Sequence, residues 1–265
     1  MKKSISQGLI TILLFLGTWY ALAQVDWMNI FKVQQVTDKT EQKLGELFWE
    51  VFKNAEREIK STPVVNSIDS MVTHFCKANL IDRSKLKIHV LDKEDINAFA
   101  LPNGHLIVYS GLILNASNQE ELAGVICHEI AHIELNHVMK KLVKEIGLSV
   151  LISMTTGNSG AEVIKETAKM LSSTAFDRSL EKDADIKAVD YLVKANLNPK
   201  PFADFLYKLS DTEHEATKYL TWISTHPDSK ARAEYIIEYS KGKESAYKPI
   251  LANDTWEKLK AELEN

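Results

Sequence analysis

The sequence predicts a mainly helical α+β domain in which a small β-sheet lies beside one central helix. Three observations predict it. Apolar residues recur at helical spacing through most of the chain. Residues 87–109 instead alternate or run β-branched around a tight-turn pair. A His128-Glu129-Ile130-Ala131-His132 pentapeptide sits inside one of the helical runs. With 265 residues, 45% of them hydrophobic, the chain can bury a full core as one domain with appendages.

Residues 1–23 read as a secretory leader. Lys2 and Lys3 supply the positive start, Leu9 to Leu16 the apolar stretch, and Ala21-Leu22-Ala23 the small-residue cleavage pattern before Gln24. The expectation is an exported protein, with 24–240 as the folded domain and 241–265 as a C-terminal tail. The rival is an uncleaved anchor. Gly8 to Val25 is only just long enough to span a bilayer, and Thr11, Thr18 and Tyr20 dilute it. Acidic residues number 36 against 32 basic ones, and losing the leader removes two of the latter. That balance argues against a nucleic-acid partner, which calls for a basic stripe.

Leu44, Leu47, Phe48, Val51 and Phe52 predict an amphipathic helix over 38–59, and Val65, Ile68, Met71, Val72 and Phe75 a second over 64–78. His74, alone beside a packed face, is expected to be structural. Strands follow at Lys87–Leu91, Ala98–Leu101 and Leu106–Tyr109, with Pro102-Asn103-Gly104 closing a hairpin because Asn and Gly tolerate positive φ. An exposed edge of such a sheet can align an extended peptide, or the sheet can merely support the helix beside it.

Ser117-Asn118-Gln119-Glu120 matches a capping box opening the central helix. Residues four apart on a helix are separated by about 40° around the axis, so His128 and His132 face one ion. Glu129 stands where its carboxylate reaches a water on the metal rather than the metal, as a general base must. His137 lies about half a turn round a continued helix and cannot reach the same ion. It is expected to be structural or on the surface, and the chain lacks the glycine of the longer metzincin motif. Cys76 and Cys127 are the only cysteines. A disulfide between them and a buried thiol at Cys127 are both open readings.

Residues 146–176 hold an apolar run, Gly147 to Met154, and a Thr155–Gly160 loop. A lid, a membrane-touching flap and an ordinary helical hairpin over the core all fit. A catalytic zinc needs three protein ligands. Glu181 and Asp185, four apart on a further helical pattern, offer one carboxylate for the metal and one to accept the free N–H of a ligand histidine.

The motifs Asn97-Ala98-Phe99-Ala100-Leu101-Pro102 with Gly104, His128–His132, Glu181 with Asp185, and Thr225-His226-Pro227 with Arg232 occur in this order. Together they resemble the zinc metallopeptidases of the CAAX prenyl protease and heat-shock protease X family, the soluble periplasmic members above all. The resemblance covers about residues 97–232. It implies a zincin fold of the minigluzincin type, one zinc ion per chain with Glu181 as third ligand, Asp185 behind the ligands, and proteolysis of unfolded or misassembled envelope proteins. Cleavage of prenylated substrates is not carried over, because that branch is multi-spanning. Asn103 replaces a glycine common in the family.

By the same resemblance, the segment of Tyr219, Trp222 and His226 lies over the metal cleft. His226 then either donates to the developing oxyanion or closes the site as a fourth ligand; a merely packed loop histidine is the plain alternative. Trp256, Leu259 and Leu263 predict a packed or partner-binding terminal helix. The competing class is a non-hydrolytic, metal-dependent chaperone or assembly factor on the same fold. The sequence leaves the oligomeric state, cleavage preference and any peripheral membrane contact open.

Overall fold

The structure, a computed structural model, describes residues 33–211, 220–243 and 247–264. The leader expected at 1–23 and Tyr219 lie outside the described residues. The chain divides into a unit ending at Thr40 and a main unit, Glu41–Asn265. Of the first, only the opening turns of helix α1 (Val33–Ala55) are described.

α1 ends sooner than the periodicity predicts. Residues 57–59 leave the helix to pair against the first strand, with Ile59 N–H donating to the Val90 carbonyl at 2.8 Å and Asp92 N–H to the Arg57 carbonyl at 2.8 Å. α2 (Thr62–Asn79) follows, with Pro63 in its first turn, where the missing N–H costs nothing. The sheet then forms from β1 (Lys87–Leu91), β2 (Ala98–Leu101) and β3 (His105–Tyr109) in the order β1-β3-β2. β1 runs parallel to β3, and β2 antiparallel to it, with Leu101 opposite His105. The expected turn lies between them, with φ of 60° at Asn103 and 72° at Gly104. A Cβ at Gly104 would come within 1.9 Å of the Lys85 carbonyl oxygen, so only glycine fits.

β3 explains its own composition. Leu106 and Val108 join one core with α2 and the central helix, whereas Ile107 and Tyr109 join a second with Leu44, Phe48 and Phe52 of α1. A strand buried on both faces reads as a continuous apolar run, because each side of its two-residue period meets an apolar layer. The chain continues through α3 (Ser110–Asn115), the central α4 (Gln119–Glu134), α5 (His137–Glu145), α6 (Leu148–Thr155), α7 (Ala161–Leu171) and α8 (Arg178–Lys194). It closes with α9 (Lys200–Asp211), α10 (Leu220–Thr225), α11 (Ser229–Ser240) and α12 (Asn253–Leu263). α4 packs chiefly on α8, then on α9 and β2. Every residue from Glu121 to His132 is buried, the pattern of a helix covered all round. This is the mainly helical α+β architecture with a sheet beside the central helix.

One expectation changes in detail and two open readings are resolved. The cap of α4 is shifted by one residue: Asn118 Oδ1 accepts from Glu121 N–H at 2.9 Å, and Glu121 returns a carboxylate oxygen to Ser117 N–H at 2.8 Å. Residues 146–176 form the helical hairpin, with Leu151, Met154, Ala168 and Leu171 buried in the second core. Cys76 and Cys127 are free thiols at 1% and 0% exposure; burial pushes Cys76 up to about 11 and Cys127 well above its ordinary value. Trp256 and Leu259 of the tail join the first core. No helix of the described residues is long and apolar enough to cross a membrane.

On the α1 side of the sheet, a row of titratable groups is joined edge to edge. Glu58 lies 3.0 Å from His89 Nδ1, His89 Nε2 3.0 Å from His105 Nδ1, and His105 Nε2 3.2 Å from Lys87 Nζ and 3.4 Å from Glu46. Trp49 stacks on His89 at 3.6 Å between ring centroids. Burial, helped by Lys87, lowers His105 from 6.5 to about 4, and burial lowers His89 as well. Between these values the unfolded chain binds more protons than the folded one, so stability falls as pH falls. Urea midpoints measured from pH 6.5 down to 4 are expected to decline, and His105→Asn to make that decline shallower.

Candidate metal centre

α4 and α8 build the centre by crossing at their buried faces. From α4, His128 and His132 turn their Nε2 atoms toward one point, 3.0 Å apart. From the first turn of α8, Glu181 brings its Oε2 to 3.6 Å from His128 Nε2 and its Oε1 to 3.5 Å from His132 Nε2. His226 follows α10, its N–H bonded to the Trp222 carbonyl at 2.8 Å. Its Nδ1 lies 3.3 Å from His128 Nε2 and 3.0 Å from Glu181 Oε1. One donor atom from each of His128, His132, Glu181 and His226 falls within 4.8 Å of all the others, and all four residues are buried.

The donors fit a zinc ion. Imidazole nitrogens and a carboxylate oxygen are the ion's usual ligands, and tetrahedral bonds of about 2.0–2.1 Å set donor atoms about 3.3 Å apart. The separations here, 3.0 to 3.6 Å, straddle that value. Burial lowers His132 to about 4 and His226 to about 3, which keeps both imidazoles in the neutral form that binds metal.

The two α8 carboxylates are held ionised by one guanidinium. Arg232 of α11 reaches Asp185 through Nε at 2.8 Å and Nη2 at 2.8 Å, and Glu181 Oε2 through Nη1 at 2.7 Å. Burial alone would raise Glu181, but His226 and Arg232 outweigh it and hold the carboxyl well below its usual range. Burial likewise opposes Asp185, and Arg232 and His128 bring it to about 2. Asp185 Oδ1 lies 2.8 Å from His128 Nδ1, on the far side of the ring from the donor cluster, and Tyr235 OH also donates to Asp185.

Glu129 is different. It is fully buried, and neither carboxylate oxygen has a hydrogen-bond partner; Oε1 lies 3.3 Å from His226 Nε2. Burial and then the Glu181 charge push its carboxyl well above the ordinary value. A divalent cation held by the four donors would supply the charge that reverses this. Two aromatic rings finish the enclosure: Phe176 stacks on His132 at 4.1 Å, and Trp222 on His226 at 4.1 Å.

All six residues singled out in the sequence, His128, Glu129, His132, Glu181, Asp185 and His226, meet here. Two features went unread. Arg232 entered only as part of a motif, although two carboxylates buried on one helix face demand a fixed positive charge. The reading of His137 assumed that α4 continues. The helix instead stops at Glu134, Asn136 adopts φ 56°, and the chain turns back into α5. His137 is therefore buried rather than on the surface, with its Nδ1 3.1 Å from His132 Nδ1. His74, by contrast, is structural as expected, its Nε2 2.9 Å from the Ala195 carbonyl.

Removing Arg232 leaves two buried carboxylates without their partner. Arg232→Ala is expected to destabilise the metal-free protein by about 3–5 kcal/mol, read by denaturant unfolding.

Comparison with known proteins agrees with this geometry. Residues 65–240 match the family model described as Peptidase family M48. The chain is 30% identical over 209 residues to the mitochondrial metalloendopeptidase OMA1 of Bos taurus, covering 72% of this chain and 40% of that protein. It is 28% identical over 209 residues to the Homo sapiens protein of the same name, with the same coverage of 72% and 40%. To the beta-barrel assembly-enhancing protease of Escherichia coli it is 25% identical over 185 residues, 64% of this chain and 37% of that one. The chain thus spans about two fifths of the length of these relatives. A match over most of the chain, with the two-histidine helix and its acidic partner helix inside it, means that the chain belongs to peptidase family M48.

Proposed function

We propose that this chain is a zinc-dependent endopeptidase that hydrolyses peptide bonds of unfolded or misassembled cell-envelope proteins. The observation that carries the reading is the convergence of four buried metal-binding donors beside the unpartnered carboxylate of Glu129. His128, His132 and Glu181 hold one zinc ion. When bound, zinc lowers the pKa of an attacking water and polarises the scissile carbonyl. Glu129 accepts the water's proton and delivers it to the leaving amine. Asp185 accepts the Nδ1–H of His128 and so keeps the opposite nitrogen free for the metal, while Arg232 keeps both acidic residues ionised.

For His226 the donor geometry favours one of the two sequence readings. With its Nδ1 inside the cluster, it acts as a fourth ligand that closes the site when no substrate is bound. An oxyanion donor would have to swing away from Glu181 first.

Within the family, the chain reads as a soluble, exported member, with a cleaved leader at 1–23, a peptidase domain at 24–240 and a helical tail at 241–265. What supports export is the charge, apolar run and small-residue pattern before Gln24. An envelope substrate is in keeping with the name of the Escherichia coli relative, which speaks of β-barrel assembly. The chaperone alternative gains nothing from a fully assembled donor set and an adjacent base.

Glu129→Gln is expected to keep its zinc, measured by metal analysis, and to lose hydrolysis of a denatured protein; unchanged turnover would sink the mechanism. Glu181→Ala should lose zinc outright. His226→Ala is expected to raise basal turnover, and a fall would return the residue to the oxyanion role.

A further inference from the structure

His132 needs its Nδ1 to carry the proton if its Nε2 lone pair is to face the metal, and something must accept that proton. For His128 the group at that nitrogen is the Asp185 carboxylate, 2.8 Å away. Among the described residues no carboxylate contact is made at the far side of His132; the group there is His137, Nδ1 to Nδ1 at 3.1 Å, both rings buried, and the ring planes at 71°. Two imidazoles can bond through these atoms only when one donates and the other accepts.

We propose that His137 is the positioning residue for His132: its Nδ1 accepts the His132 Nδ1–H and so locks that ring in the tautomer that turns Nε2 toward the metal. His137 then carries its own proton on Nε2. The backbone is built to deliver this contact. Leu135 and Asn136 close the end of α4 on the Ala131 and Ile133 carbonyls at 3.0 Å, and the left-handed Asn136 sends the chain into α5 with His137 as its first residue. Asparagine adopts that conformation more readily than most side chains. The two ligand histidines are thus oriented by chemically different partners, an ionised carboxylate clamped by Arg232 for one and a neutral ring for the other.

The inference rests on the zinc reading of the site, and the experiment separates the two. Zinc affinity is measured by chelator competition on the full chain, for the wild type, His137→Phe and His137→Asn. Phenylalanine keeps the ring volume and removes the acceptor; asparagine can set an oxygen near the place of Nδ1. The expected result is a loss of about 10–100-fold for His137→Phe, with His137→Asn recovering most of it while both variants unfold like the wild type. Equal affinity of His137→Phe and wild type overturns the inference, as does an asparagine variant no better than phenylalanine. A wild-type chain that takes up no zinc overturns the zinc reading and the inference with it. Nitrogen-15 spectra of histidine-labelled, zinc-loaded wild type supply a readout that packing alone would not move: His137 is expected as the Nε2–H tautomer, and an Nδ1–H tautomer would overturn the assignment.

Discussion

One guanidinium facing two carboxylates in the core is the interaction on which the site depends. Glu181 and Asp185 stand one helical turn apart on α8, both out of contact with water, and neither would remain ionised there alone. Arg232 answers both at once, through a two-pronged contact with Asp185 and a single one with Glu181. Because Arg232 is itself on α11, the pairing also fixes how α11 lies on α8, and α8 in turn is the main neighbour of α4. The charge arrangement and the helix arrangement are therefore one problem with one solution. A fixed planar fork suits it where a single ammonium would not.

Around that clamp the centre is layered. The innermost shell is nitrogen and oxygen atoms turned to one point; behind His128, His132 and Glu181 stand Asp185, His137 and Arg232; beyond those lie stacked rings. The outer layer comes from segments distant in sequence. Phe176 precedes α8, and Trp222 belongs to α10, yet each covers one histidine of the cluster. Glu129 faces the Nε2 of His226 at 3.3 Å, and neither makes a hydrogen bond. A carboxylate so placed in a low-dielectric pocket is costly, and the cost becomes sensible where a cation is to be bound nearby.

Much of this was legible in the chain. The spacing of His128 and His132 carries its own geometry, Glu181 and Asp185 share a face by the same arithmetic, and the β-branched run with Asn103-Gly104 can hardly be anything but a hairpin. What escaped depends on where helices stop. The cap falls on Asn118 because its side chain accepts from Glu121, a choice that Ser117 and Glu120 could equally have made on pattern alone. Which of its two readings His137 would take, structural or surface, was undecided because nothing in Leu135-Asn136 announces a left-handed turn; asparagine permits that conformation without requiring it. Arg232 needed a partner list that only the packing of α8 against α11 supplies. The helical hairpin of 146–176 was undecided because a short apolar run serves a lid, a membrane flap and a core equally well until its neighbours are known.

Gly124 lies one turn of α4 before His128. A Cβ there would sit 2.4 Å from Cβ of Phe202 and 2.6 Å from its Cγ, atoms too close to the α9 backbone to step aside. At that level the Phe202 side chain packs directly on the α4 backbone, so α4 cannot slide or roll without opening a void or striking it. The histidine pair is thereby registered against the body of the protein by a contact that involves neither charge nor hydrogen bond. The tolerance to which the donor atoms are held is set, about 6 Å along the axis, by the absence of a methyl group.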